Sequence, residues 1–342
     1  VKAITVCQAG GPEQLAWAEA TAPRPAPGEV VVQVAAAAVN HADLRQRRGL
    51  YPVPPGTSPI LGLECAGAVV EVGPDVQGVA VGDRVCALLD GGGYAELVAV
   101  PQGQLLPIPD GLDFAEAASL PEAGCTVWLN LVMLGGLTAG QTVLVHGGTS
   151  GIGTFALQVI RELGARAVAT AGSARKTDWC RTAGAIAVDY HREDFVTAVR
   201  DATEGRGADL VLDCVGAPYL ARNLDALADG GRLLVIGLLG GRSTEIDLNT
   251  LLRRNLTLTA GTLRARSAAE KARIVGQVRE HLWPLIDTGR VRPVIDRILP
   301  LPEAAEAHRA LEGDGHIGKI VLTTPRSDPL SLHRARKDSR LP

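Results

Sequence analysis

The sequence predicts an α/β protein that combines a doubly wound parallel sheet with a second, β-rich domain. Three observations lead there. From Gln141 on, apolar strand-like runs alternate with amphipathic helical ones. Roughly the first hundred residues instead show short apolar runs separated by proline and glycine. The composition is rich in alanine, valine and glycine and poor in aromatics, as buried parallel strands require.

The alternating half sets the plan. Val143-Leu-Val145 runs into His146-Gly-Gly-Thr-Ser-Gly-Ile-Gly153, with four glycines in seven residues. Phe155, Ala156, Val159, Ile160 and Leu163 then recur at helical spacing, and Gly164 stands where a helix stops. A buried strand, a glycine turn and a helix bring backbone N–H groups and a helix N-terminus up to a pyrophosphate. Strands are expected to end near His146, Ala171, Val188, Cys214, Ile236 and Ala260. Helices are expected around 154–163, 174–183, 193–203, 218–228 and 247–253.

The β-rich half begins with Lys2–Cys7 and Val30–Val34, joined through the connector Ala22–Gly28. Asn40 or Asp43 can cap a short helix, and Tyr51-Pro-Val-Pro-Pro-Gly56 is a stiff loop that fixes an aromatic hydroxyl. Leu61–Gly73 reads as a strand pair. Val81–Val85 and Gly91–Val100 each read as a turn into a strand. Phe114–Leu120 and Ala123–Leu134 read as helices separated by Pro121. After the parallel sheet come a helix over 268–288 interrupted at Pro284, a strand at Ile295–Leu299, a helix at Pro302–Leu311 and a strand at Lys319–Leu322. This last block returns to the first domain. Residues 1–122 and 263–325 are therefore expected to form one domain, 123–262 the other, and 326–342 a solvated basic tail carrying Arg326, Arg334, Arg336, Lys337 and Arg340.

Bulk properties exclude some functions. The 342-residue chain has a formal net charge of -3, so nothing favours nucleic acid or a membrane surface. Neither a signal peptide nor a membrane-spanning run is evident, which sets the cytosol as the expectation. Cys7, Cys65, Cys86, Cys125, Cys180 and Cys214 are scattered without a Cys-x-x-Cys, as reduced thiols are.

The cofactor is legible one strand beyond the glycine turn. A carboxylate there holds the ribose hydroxyls of NAD. This chain instead has Ser173, Arg175 and Lys176, a hydroxyl and two cations suited to a ribose phosphate, which predicts NADPH.

Several stretches together resemble the zinc-free quinone oxidoreductases of the medium-chain dehydrogenase/reductase superfamily. They are Ala42–Gly56, Ile60–Glu64, Leu120–Ala123, His146–Gly153, Leu212–Gly216 and His316–Val321. The resemblance implies a six-stranded Rossmann sheet beside a GroES-like barrel that carries catalysis. It implies NADPH-dependent reduction of quinones by direct hydride transfer, with Asn40, Asp43 and Tyr51 lining the acceptor. Asn40 is expected to donate to a carbonyl oxygen, Tyr51 to donate or stack, and Asp43 to orient partners. Cofactor contacts carry over onto Thr126, Ser150, Gly151, Ile152, Gly153, Ser173, Lys176, Tyr190, Gly216, Gly237, Leu238, Leu263, Arg264 and Lys319.

Zinc relatives hold their catalytic metal with a cysteine and a Gly-His-Glu histidine; here those places fall to Asn40 and Leu63, neither a zinc ligand. Ala87–Val100 stands in place of the lobe with four clustered cysteines. No metal is therefore expected, and His41 is expected to pack rather than ligate. Two departures from the pattern stand out. Ser150 replaces a glycine within the turn. Gly124-Cys125 replaces a bulkier pair, which widens the acceptor pocket or exposes a thiol, although a packed Cys125 is expected. Asn255–Ala260 would be the edge strand of the sheet, and relatives pair through it as homodimers. Two alternatives stay open: reduction of activated C=C bonds in enones, enals or enoyl thioesters, and NADPH binding with little turnover.

Overall fold

The computed structural model describes residues 1–325. The expected basic tail lies outside the described residues. Two compact units divide the chain: Val1–Glu122 with Arg264–Asp287 and the segment from Pro293, and Ala123–Leu263 with Thr288–Arg292.

The second unit is a six-stranded parallel sheet. Its order is Ile186–Asp189, Arg166–Ala171, Thr142–Val145, Ala208–Asp213, Leu227–Val235 and Thr257–Ala260. The strand order reverses beside Thr142–Val145, and in such sheets a ligand crevice opens at that reversal, past the strands' carboxyl ends. The central strands are buried on both faces, which is why they read as unbroken apolar runs. The helix Gly151–Glu162 follows the first strand, and Gly164, at φ +73°, ends it in the left-handed conformation.

The first unit is built on strands. Glu29–Ala38 is its centre, pairing with Glu64–Val72, Leu97–Pro101 and Lys319–Thr323. Ile295–Pro300 extends the sheet on one side, and Arg84–Leu88 and Leu105–Pro107 extend it on the other. Lys2–Val6 and Leu15–Glu19 form a separate antiparallel pair. The core runs from Val30, Val32 and Val34 through Leu61, Val69 and Tyr94 to Leu301, Ile320 and Leu322.

Several elements differ from the sequence-based expectations. Leu61–Gly73 is not a strand pair but leads into one strand, Glu64–Val72. Gly67 in this strand serves close approach: a Cβ there would lie 1.9 Å from the Gln33 carbonyl oxygen of the neighbouring strand. Two helices flank the Pro121 boundary as expected, Phe114–Ala118 and Pro121–Val127, and Pro121 opens the second, where a missing N–H costs nothing. That helix continues as π-helical turns over Trp128–Leu134. Likewise the break expected at Pro284 falls at Leu282, and Pro284 lies in the first turn of Trp283–Asp287. Leu15–Glu19 and Leu105–Pro107 were not evident as strands, being short and weakly patterned.

Among the described residues no helix is long and apolar enough to cross a membrane. Gly67→Ala is expected to lower stability by about 1–3 kcal/mol, because backbone must move to admit the methyl group. Urea denaturation measures the loss.

Candidate functional site

The glycine turn of the second unit is shaped for a phosphate. Gly147 has φ +69°, and a Cβ on Gly153 would come within 2.2 Å of the Gly147 carbonyl oxygen. Ser150 is the N-cap of Gly151–Glu162, and its hydroxyl accepts the Gly153 N–H at 2.9 Å. A serine replaces a glycine here because the hydroxyl caps the helix. His146 braces the turn from below. Burial lowers its pKa to about 4, so the ring is neutral. It bonds Asn223 Oδ1 at 2.7 Å and Thr170 Oγ1 at 3.1 Å, and Thr170 Oγ1 accepts the Gly147 N–H at 3.3 Å.

Of the other positions expected to meet the cofactor in this unit, Thr126 lies in the helix Pro121–Val127 and the rest lie at or beyond the carboxyl ends of the strands. Ser173 is the N-cap of Ala174–Thr182 and makes no capping bond with its side chain. Ser173 is exposed and Lys176 half-buried one turn into the helix. Tyr190 lies across Gly172, where a Cβ would meet its hydroxyl at 2.4 Å. Gly216, at φ +86°, gives its N–H to Asp213 and pairs with Gly241. Gly237 and Leu238 follow the strand Leu227–Val235, and Leu263 is buried. Thr126 is half-buried, and its carbonyl accepts from Asn130 Nδ2 at 2.8 Å. Cys125 is fully buried.

The first unit brings Asn40, Asp43 and Lys319 together. Asn40 is the N-cap of His41–Arg47, and Asp43 at the third helical position accepts the Asn40 N–H at 2.8 Å. The Asn40 side chain does not cap. Its Nδ2 donates to Glu64 Oε1 at 2.9 Å and to the Ala38 carbonyl at 3.4 Å, and its Oδ1 accepts from Lys319 Nζ at 2.7 Å. The amide hydrogens expected to serve an acceptor thus have acceptors within the chain. Lys319 Nζ also bonds Glu64 Oε1 at 2.5 Å, and Glu64 Oε2 accepts the Glu122 N–H at 2.9 Å. Lys319 and Glu64 are both buried. Gly318, at φ +90°, turns the chain into the strand that presents Lys319.

Asp43 is held from several sides. Gly62 N–H donates to its Oδ1 at 2.9 Å, and Tyr94 OH to its Oδ2 at 3.3 Å. Burial raises its pKa to about 6 against the pull of those N–H groups. Behind Tyr94, His308 Nε2 lies 3.3 Å away, and Arg47 Nη1 lies 3.1 Å from His308 Nδ1. Arg47 can only donate, so His308 carries its proton on Nε2 and passes polarisation through Tyr94 to Asp43. At Tyr51, the Arg264 guanidinium sits 5.3 Å from the ring centroid. Arg264 donates to the Asp90 carbonyl and to Gln46 Oε1. His41 is neutral, its pKa lowered to about 4 by burial and by neighbouring cations.

Glu64, Tyr94, His308 and Glu122 escaped the sequence reading. Glu64 left a trace there, as a single carboxylate opening an otherwise apolar run.

This fold and this pair of sites define a class, the nucleotide-dependent oxidoreductases built on two such units. The family model for the alcohol dehydrogenase GroES-like domain matches residues 26–110, and that for zinc-binding dehydrogenase matches 183–322. A quinone oxidoreductase of Pseudomonas aeruginosa is 35% identical over 325 residues, covering 94% of this chain and 99% of its own. The solved structure of Escherichia coli quinone oxidoreductase complexed with NADPH superposes with a TM-score of 0.86 at 29% identity, covering 94% of this chain and 100% of that one. A 2-haloacrylate reductase superposes with a TM-score of 0.80 at 30% identity, covering 95% and 100%. The chain belongs to the medium-chain dehydrogenase/reductase superfamily, in its zinc-free quinone oxidoreductase branch.

One family description implies zinc, and the residues do not fit it. Asn40 offers an amide already bonded to Lys319 and Glu64, and Leu63 is apolar and buried. Among the described residues no group of three or more His, Cys, Asp or Glu is placed to hold a metal ion.

The Glu122 carboxyl yields a pH prediction. Burial and the Glu64 carboxylate hold its pKa up at about 8, from 4.5. Between those values the folded protein keeps a proton that the unfolded chain has lost, so this group makes stability fall as pH rises. Glu122→Gln is expected to remove that decline. Its denaturation midpoint should match wild type below pH 4.5 and exceed it at pH 8, as read by urea titration at each pH.

Proposed function

We propose that the chain reduces quinones with NADPH by direct hydride transfer that needs no metal. The observation that carries this reading is the donor set at Asn40: an amide, a carboxylate and an ammonium bonded together. Such a set offers no Lewis acid to an alcohol, but it suits an acceptor that is already electrophilic. A quinone is one, since its carbonyls are conjugated and its reduced form gains aromaticity. The Pseudomonas aeruginosa relative supports the same substrate class.

In this reading NADPH lays its pyrophosphate on Ser150, Gly151, Ile152 and Gly153. Ser173 and Lys176 take the ribose phosphate, and Tyr190 flanks the adenine. Gly216, Gly237, Leu238 and Leu263 continue the cofactor's bed, with Thr126 and Arg264 toward the nicotinamide. Asn40, Asp43 and Tyr51 line the acceptor. The cofactor supplies the hydride, and the protein binds, orients and excludes water.

A second reading is reduction of an activated C=C bond. It is favoured by the similarity to a 2-haloacrylate reductase, whose substrate name denotes a conjugated alkene. NADPH oxidation assayed with ortho- and para-quinones, an enone and a crotonyl thioester separates the two. Turnover with quinones supports the first reading, whereas turnover with the enone alone supports the second. Lys176→Glu should cut the NADPH preference over NADH by roughly tenfold to a hundredfold, the worth of a charge-assisted hydrogen bond. An unchanged preference would remove Lys176 from the phosphate site.

The assembly proposed is a homodimer through Thr257–Ala260. This strand ends the parallel sheet, and Leu248, Leu252 and Leu258 are exposed on and beside it. Leu252→Glu combined with Leu258→Lys should halve the mass measured by light scattering.

A further inference from the structure

The helix Pro121–Val127 has one open face. Its residues are buried except Glu122 and Thr126, which are half-buried and stand one turn apart on that face. The backbone ties Glu122 to the cluster at Asn40. Glu64 accepts the Glu122 N–H on Oε2 at 2.9 Å and holds Asn40 Nδ2 and Lys319 Nζ on Oε1. The Glu122 carboxyl itself makes no hydrogen bond among the described residues. Burial opposes its ionisation most, the Glu64, Asp43 and Asp90 carboxylates add to that, and only the Lys319 ammonium favours it. At neutral pH the group therefore keeps its proton, with a pKa of about 8. The arrangement costs stability above pH 4.5, so folding gains nothing from it. What it provides is an acid with an unspent O–H, fixed through Glu64 beside Asn40.

We propose that Glu122 is the proton donor of the reaction, giving its carboxyl proton to the acceptor as the hydride arrives. The inference goes beyond the reading above, which assigns no acid, and it rests on that reading. Its acceptors are those that gather negative charge on oxygen, the quinones and the conjugated carbonyls.

The chemistry balances. The acceptor takes a hydride, a proton with two electrons, from NADPH and forms one new bond to hydrogen, leaving NADP⁺. The electron pair displaced within its conjugated system comes to rest on oxygen, as a hydroquinone monoanion or an enolate. The Glu122 O–H bond breaks, the proton bonds to that oxygen, and the electron pair stays on the carboxylate. Solvent then returns one proton to Glu122. The net change is acceptor, NADPH and one proton to reduced acceptor and NADP⁺. A donor works best when its pKa lies near the working pH, where it is both loaded and ready to give. A carboxyl at about 8 meets that condition, whereas one at 4.5 would be empty. Glu64 is the positioning residue, since it fixes the Glu122 backbone and its charge helps keep the proton on.

The test uses wild type, Glu122→Gln and Glu122→Asp, each with a para-quinone and an enone on either side of pH 8. NADPH affinity is measured by cofactor fluorescence. The protonated carboxyl is followed without acceptor by the infrared absorption of its C=O stretch. Wild-type kcat is expected to hold up to about pH 8 and to fall about tenfold per pH unit beyond it, while the carboxyl band fades with the same midpoint. Glu122→Gln should lack that band and bind NADPH as wild type does. It should lose roughly a hundredfold in kcat with both acceptors at neutral pH and show no fall near pH 8. Glu122→Asp should recover the band and part of kcat, and its kcat should fall where its own band fades.

Should Glu122→Gln bind NADPH normally and keep the wild-type kcat and pH profile, the inference is overturned while the reduction itself stands. A loss of NADPH affinity in step with kcat also overturns it, since the residue would then serve the fold. If wild type turns over neither acceptor, the reading above fails and the donor role falls with it, even where the carboxyl band fades near pH 8. Should Glu122→Gln not fold, wild type and Glu122→Asp decide: kcat and carboxyl band titrating together in both proteins support the assignment, and different midpoints overturn it.

Discussion

A buried ion pair organises the first, strand-built unit. Glu64 opens one strand and Lys319 opens another, 255 residues apart in the chain. Their contact draws in Asn40 at a helix N-terminus and the backbone of Glu122 at the start of another helix. Burying two charges is costly, and the cost is offset only when the remaining lone pairs and protons find partners. Glu64 meets that condition with donors on both oxygens. Removing one partner of such a pair leaves an uncompensated charge inside the protein, so each element holds the others to one geometry.

Asp43 shows the same logic in a gentler form. Its carboxylate stays ionisable only because Asn40, Gly62 and Tyr94 all donate to it. Tyr94 is in turn held by His308, and His308 by Arg47. The short helix His41–Arg47 is thereby fixed at both ends, by Asp43 near its start and Arg47 at its finish. In the nucleotide-binding unit the constraint is steric instead. Gly153 packs so closely on Gly147 that no side chain fits, and the cap from Ser150 then orients the helix N-terminus.

Much of this was legible in the sequence because it rests on local pattern. The alternation of apolar runs and amphipathic helices gives the six parallel strands, and the glycine turn gives the helix that follows the first. The absence of a carboxylate one strand later, with Lys176 in its neighbourhood, marks the cofactor. Asn40 and Leu63, at the places where the resemblance puts zinc ligands, are residue types that do not bind zinc. Pro284 reads as a break because proline usually interrupts a helix, but the break falls at Leu282 and Pro284 sits in the first turn that follows, where it is tolerated. Leu61–Gly73 reads as two strands, whereas Glu64–Val72 is one, in which Gly67 allows close approach to the neighbouring strand.

The sequence by itself determined the architecture, the nucleotide and the lack of metal ligands, since each depends on residue type at short spacing. Tertiary structure alone decided what Asn40 does with its amide and what Lys319 does with its charge. Asn40 meets Glu64 across 24 residues and Lys319 across 279. No local pattern records such a meeting. It follows from the central strand Glu29–Ala38 pairing on one side with the strand that Glu64 opens and on the other with the strand that Lys319 opens.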